Sequence, residues 1–315
     1  MLRGLGRIAS LAIVLALATG LVGCSQYGKL QAKRSFKEAN VLYAQQEYKR
    51  ASVLYEEAIK NDPDLSVAYF YLANSYDNLF KPSRKGEAEN DAYLTKAIEY
   101  YKLASEKEQD PTLRKRSFEF LVAAYGPDKM NDPSQQEPIV NRMIELDPQD
   151  ASNYFALAKI REDAGDYPAA EEVLQRAKTA RPNDPQVYLQ LAGFYNRQEE
   201  FDKTIEALNQ RAAIEPNNPE AFYTISTYYW DKAYRDFRLK EPEKKEFVMK
   251  GLEQVDKALQ LKPDYMEALT YKNLLLRLQA NLEKDQAKQS ALLKEADKLR
   301  DQALELQKKQ AAGIK

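Results

Sequence analysis

Apolar and polar positions follow one another along most of this chain with the spacing of an α-helix. In "IELDPQDASNYFALA", residues 144–158, an Asp-Pro pair interrupts two apolar runs, and Tyr154, Leu157 and Ala158 follow on one helical face. Variants of the phrase stand at "IKNDPDLSVAYFYLA", "AIEPNNPEAFYTIS" and "LQLKPDYMEALTY". A phrase that returns this often marks one structural unit used repeatedly.

Proline sets the period. Pro148, Pro182 and Pro216 are each 34 residues apart. Reading from each proline, residues 151–184 place Tyr154, Leu157, Ala158, Tyr167, Ala170, Leu174 and Ala177 at packing positions. Residues 185–218 place Tyr188, Leu191, Ala192, Tyr195, Phe201, Thr204 and Leu208, and 32–65 place Ala39, Leu42, Tyr48, Ala51, Tyr55 and Ala58. Small residues suit the close approach of two antiparallel helices and large ones fill the space alongside. Asp184-Pro185 and Asn218-Pro219 read as an N-cap followed by proline at the first helical position.

These positions and this period resemble the tetratricopeptide repeat (TPR) family. The resemblance implies an all-α fold: a TPR solenoid of about seven helix-turn-helix units forming a right-handed superhelix, with a long polar C-terminal capping helix. It covers 32–281, in units near 32–65, 66–111, 112–148, 151–184, 185–218, 219–263 and 266–281 onward. Two units are long, with extra residues near 78–91 and 231–247, and 112–148 loses the pattern after Phe118, Leu121 and Tyr125. In 282–315, Leu292, Ala296, Leu299, Ala303 and Leu306 recur at four and three. That seam is read as a cap over the last repeat, because solenoids need polar-faced ends.

The first residues have a different character. Arg3 and Arg7 precede an uncharged stretch from Ile8 to Gly23, short for a spanning helix and apt for a signal peptide over 1–23. Its end, Leu21-Val22-Gly23-Cys24, resembles the lipobox of bacterial lipoproteins. The resemblance implies cleavage between Gly23 and Cys24, a diacylglyceryl group on the Cys24 sulfur and an acyl group on the new amino terminus. Residues 24–31 are then the lipidated N-terminus and a short linker. Ser25, where an Asp would retain the protein at the inner membrane, implies the outer membrane of a bacterial envelope, facing the periplasm.

Composition narrows the chemistry. The 315 residues carry a net charge of −1, so no global field recruits nucleic acid. There is no histidine and one cysteine, which removes the commonest general base, the commonest metal ligand and any internal disulfide. With no phosphate loop or nucleophile elbow either, the chain reads as a non-enzyme without cofactor or metal.

Function then falls to surfaces. TPR geometry implies a concave groove lined by first helices, here by Phe36, Asn40 and Tyr43; Phe70, Asn74 and Asp77; Phe155 and Lys159; Asn196 and Arg197; Tyr223 and Trp230. Rings beside amides suit a protein or peptide partner of the envelope, although several of these rings also read as ordinary packing. The family's clamp for chaperone tails begins with a Lys where this chain has Phe36; Asn40 matches the next position, but the basic set is absent. Residues 232–250, basic with Tyr234, Phe237 and Phe247 interleaved, offer the alternative of a glycan or lipid headgroup ligand, or simply lengthened helices with solvated faces. No sequence feature speaks for self-association, and a carboxylate-based hydrolase is the remote alternative.

Overall fold

The computed structural model describes residues 26–313. The expected leader, cleavage site and Cys24 lie outside the described residues. Among the described residues the chain is fourteen α-helices with one short 3-10 turn and no strand. It divides into two compact units, Met1–Ala164 and Gly165–Lys315. The division falls inside the 151–184 repeat.

The first unit holds α1 (26–44), α2 (Tyr48–Asn61), α3 (Ser66–Leu79), α4 (Ala88–Lys107), α5 (Pro111–Ala124), α6 (Pro133–Leu146) and α7 (Ala151–Asp163). Successive helices pack on one another from α2 to α7. The core runs through Ala51 and Tyr55 of α2, Leu72 and Ala73 of α3, Ala97 and Tyr101 of α4 and Leu121 of α5. The second unit holds α8 (Tyr167–Ala180), α9 (Pro185–Arg197), α10 (Phe201–Ile214), α11 (Pro219–Arg235), α12 (Glu241–Leu261), α13 (Met266–Asn281) and α14 (Gln286–Ala311).

Local chemistry explains where helices start. Asp150, Asp184 and Asn218 accept from the backbone N–H two residues on, and Pro185 and Pro219 occupy the first helical turn. The missing N–H of proline costs nothing there, and its fixed φ suits the helix. The large residue three places into a first helix is anchored to the turn before it. The hydroxyls of Tyr69, Tyr154 and Tyr188 donate to the carbonyls of Pro63, Pro148 and Pro182 at 3.0, 3.1 and 2.7 Å. The turn inside the hairpin also repeats, with Gln46, Gly165 and Glu199 at φ of 61°, 79° and 60°. Only glycine enters this left-handed region freely.

The long units differ in how they absorb their extra residues. Near 78–91 the chain makes a 3-10 turn, Pro82–Arg84, pinned by Asn90, whose amide oxygen accepts from Lys81 N–H (2.8 Å) while its NH2 donates to Lys81 O (3.1 Å). Near 231–247 the extra residues mainly lengthen α11 and α12, leaving a five-residue connection, 236–240.

The C-terminal helix is a cap. Ala296, Leu299 and Ala303 of α14 are buried in the second unit's core, with Leu292 and Leu306 packed beside it. Arg277 of α13 reaches Asp297 at 2.6 Å, and Gln289 donates to the Ala280 carbonyl at 3.0 Å. Burial of each leucine contributes roughly 1.5–3 kcal/mol at full burial, so the apolar seam outweighs these exposed polar links.

Two local expectations change. Residues 26–31, read as linker, are helical and part of α1, and Ala32 and Ser35 bury on the face that they extend. A helix advances about 1.5 Å per residue against about 3.3 Å for an extended chain, so the segment is shorter than a linker. Tyr167, grouped with the packing residues, is 45% exposed, since it opens α8 beside the solvated turn at Gly165.

Candidate functional site

On the first unit, the expected groove residues are drawn into one polar and aromatic network. Tyr55 donates to Asn40 Oδ1 at 2.7 Å and Tyr43 to Asn74 Oδ1 at 2.6 Å. The Asn74 NH2 group donates to the Tyr101 hydroxyl at 3.0 Å, and that hydroxyl lies 3.4 Å from Asp77. Asp77 is ion-paired with Lys129. Phe36 packs edge-on against Tyr71 at 6.0 Å, and Phe70 meets Phe120 at 5.8 Å. Phe70 and Asn74 are buried. Burial, reinforced by neighbouring phenols, raises the Tyr43 and Tyr55 hydroxyls; burial first and the Asp77 charge second raise Tyr101. The phenols stay neutral and available as donors. Asn40, Asn74 and Asp77 therefore hold tertiary structure, and Phe36 and Tyr43 are half-covered by other rings.

Phe155 is half-buried on α7, and Lys159, exposed on the same helix, is ion-paired with Asp163. Asn196 and Arg197 are exposed at the end of α9.

The second unit keeps rings at its surface. Tyr223 of α11 lies 5.2 Å from Tyr265 and 5.4 Å from Tyr271 of α13. Trp230, two turns along α11, meets Tyr271 edge-on at 5.5 Å and stacks on Tyr234 at 5.0 Å with the planes 11° apart. The five rings form a continuous row, half-buried at Tyr223 and Trp230 and 60% exposed at Tyr234. Burial and then the Tyr271 and Tyr265 phenols push Tyr223 up to about 12. Tyr223 and Trp230 were legible from repeat position. Tyr265 and Tyr271 were missed because the seventh repeat was not read beyond its opening, although both stand in its first helix or just before it.

The connection after α11 exposes Phe237, at 90%, among basic residues. Their charge is spent locally: Arg235 pairs with Asp231 at 2.7 Å and Arg238 with Asp236 at 2.9 Å. The two contacts from Arg238 and Lys232 hold the Asp236 carboxyl well below the usual carboxylate range. Among the described residues no cluster of three or more His, Cys, Asp or Glu is placed to hold a metal ion.

Residues 161–225 match the tetratricopeptide repeat family model. That segment is similar to the tetratricopeptide repeat. The same fold extends well beyond it. The C-terminal part of a TPR repeat-containing protein from Cytophaga hutchinsonii matches 86% of this chain over 98% of its own length, at 17% identity and a TM-score of 0.54. MamA matches 65% of this chain and 99% of its own, at 20% identity and a TM-score of 0.42. YrrB, a TPR protein with an unusual peptide-binding site, matches 75% and 88%, at 18% identity and a TM-score of 0.30. No curated protein matches the sequence significantly. The TPR architecture explains the placement of the ring row, since both contributing helices, α11 and α13, are first helices of their repeats.

Proposed function

We propose that this chain is a lipid-anchored scaffold of the bacterial envelope, holding a protein or peptide partner against the first-helix rings of its second unit. The row Tyr265–Tyr223–Tyr271–Trp230–Tyr234 carries this reading. Trp and Tyr dominate binding hot spots because they bury much area while losing little rotamer freedom. Here ring–ring contacts already hold them in place, so less order is lost on binding.

The anchor rests on Leu21-Val22-Gly23-Cys24 and the uncharged stretch before it. Three acyl chains hold a protein far more firmly than one, whose binding is marginal. With residue 26 already helical, the TPR fold would lie close to the bilayer. Among the described residues no helix is long and apolar enough to cross a membrane.

The test is capture of partners by the purified lipoprotein from detergent-solubilised envelope. Trp230→Ala with Tyr234→Ser should lose the captured protein, by about 30-fold or more in affinity, with the melting curve little changed. Equal capture by the variant ends the proposal. The anchor has a separate test: Cys24→Ser should leave the membrane fraction, and full retention there would refute lipidation.

A further inference from the structure

The first helix of the 112–148 unit starts a turn early. Phe118, Leu121 and Tyr125 keep the spacing of Tyr69, Leu72 and Tyr76. Whereas α3, α7 and α9 begin three residues before Tyr69, Tyr154 and Tyr188, α5 begins at Pro111, seven residues before Phe118. The added turn carries Arg114 and Lys115.

A cavity of about 160 Å³ lies between α5, the end of α6 and the start of α7. Phe118, Met143 and Leu146 give it an apolar wall. Arg114 and Asp147 border it with opposite charges and do not pair with each other. The Arg114 guanidinium makes no hydrogen bond or ion pair among the described residues. Asn153, only 2% exposed, donates to the Met143 carbonyl at 3.3 Å, while its buried Oδ1 has no partner among the described residues. Lys115 also borders the cavity, but Asp150 and Glu119 hold its ammonium.

We propose that this cavity binds a free apolar α-amino acid. A guanidinium is the natural partner of a carboxylate. Asp147 and the Asn153 Oδ1 supply acceptors for an ammonium, and the three apolar side chains receive the ligand's side chain. A zwitterion satisfies at once an unpaired cation, a carboxylate held only by the Gln149 N–H at 3.2 Å and an orphaned buried acceptor, which a simple anion or a fatty acid does not. The site lies on α5, α6 and α7, apart from the ring row of the second unit, and stands or falls independently of it.

The experiment is calorimetric titration of the full chain with L-leucine, leucinamide, N-acetyl-leucine and laurate. Leucine should bind, and leucinamide and N-acetyl-leucine should each bind about tenfold or more weaker, because each lacks one charge. Arg114→Gln should weaken leucine about tenfold while leaving leucinamide unchanged, and Asp147→Asn should weaken leucine about tenfold while leaving N-acetyl-leucine unchanged. Neither Arg114 nor Asp147 is buried, so both variants should fold, and Lys294→Gln on α14 should titrate like the parent. Four results would each overturn the assignment: no leucine binding; leucinamide binding as tightly as leucine, which marks a peptide amino terminus; N-acetyl-leucine or laurate binding as tightly, which marks an anion site; or Arg114→Gln without effect.

Discussion

Lys129, in the turn between α5 and α6, is ion-paired with Asp77 of α3, 52 residues earlier. The Asp77 side chain is 8% exposed and that of Lys129 22%. The turn that delivers Lys129 is braced by Met130 N–H to Ala124 O (3.1 Å) and Asn131 N–H to Gly126 O (2.8 Å). A stretch without repeat character thus completes the polar network that begins at Asn40.

Removing one partner of a buried pair leaves an uncompensated charge, which is costlier than the pair itself is favourable. Lys129→Met should therefore cost about 2–4 kcal/mol. The exposed pair Lys309–Glu305, at 2.9 Å, is the comparison; Lys309→Met should fall within about 0.5 kcal/mol of the parent. Urea midpoints of the two variants decide the matter. Equal effects would mean that Asp77 is solvated in spite of its burial.

The tyrosine-to-proline-carbonyl bonds at Tyr69, Tyr154 and Tyr188 allow a periodic test. Each Tyr→Phe change keeps the ring and removes one donor, so each should cost about 1 kcal/mol. The sites share no bond with one another, so the losses should add. Three neutral substitutions would show that packing alone holds those turns.

Backbone strain makes a prediction of opposite signs. Glu199 sits at φ 60° and Gly165 at φ 79° in matching turns. Glu199→Gly should stabilise and Gly165→Ala destabilise, each by about 1 kcal/mol, in thermal melts. A Cβ at Gly165 meets nothing within 4 Å, so a loss there reports conformation and not a clash.

Alkali should unfold the protein through its buried phenols. Burial raises Tyr55 and Tyr101 above the ordinary 10.0. Burial and the hydrogen bond to Glu171 push Tyr195 up to about 12. Folded phenols that ionise later than unfolded ones add stability that is full below about pH 10 and is lost as pH rises through their folded values. The urea midpoint should be flat on their account near neutrality and fall above about pH 10. Tyrosinate absorbance should then rise in step with unfolding. Full ionisation of all tyrosines in a still-helical chain would contradict this.

How much of this was legible depends on the range of each interaction. The spacing of Tyr154, Leu157 and Ala158, the caps at Asp184 and Asn218, and the seam from Leu292 to Leu306 act within a turn or two of helix. The linear order of residues was therefore enough to determine hairpins, period and cap. The lipobox reading at Cys24, outside the described residues, also uses adjacent residues. Whether Asn74 faces a partner or the Tyr43 hydroxyl, whether Lys129 finds Asp77, and whether Trp230 meets Tyr271 are set by helices meeting across long stretches of chain. Arg114 and Asp147 stood in plain view, yet only the packed helices set them beside one cavity. Distance along the chain does not specify which polar groups meet once apolar faces close, because burial is non-directional and the geometry of the closed stack chooses the partners.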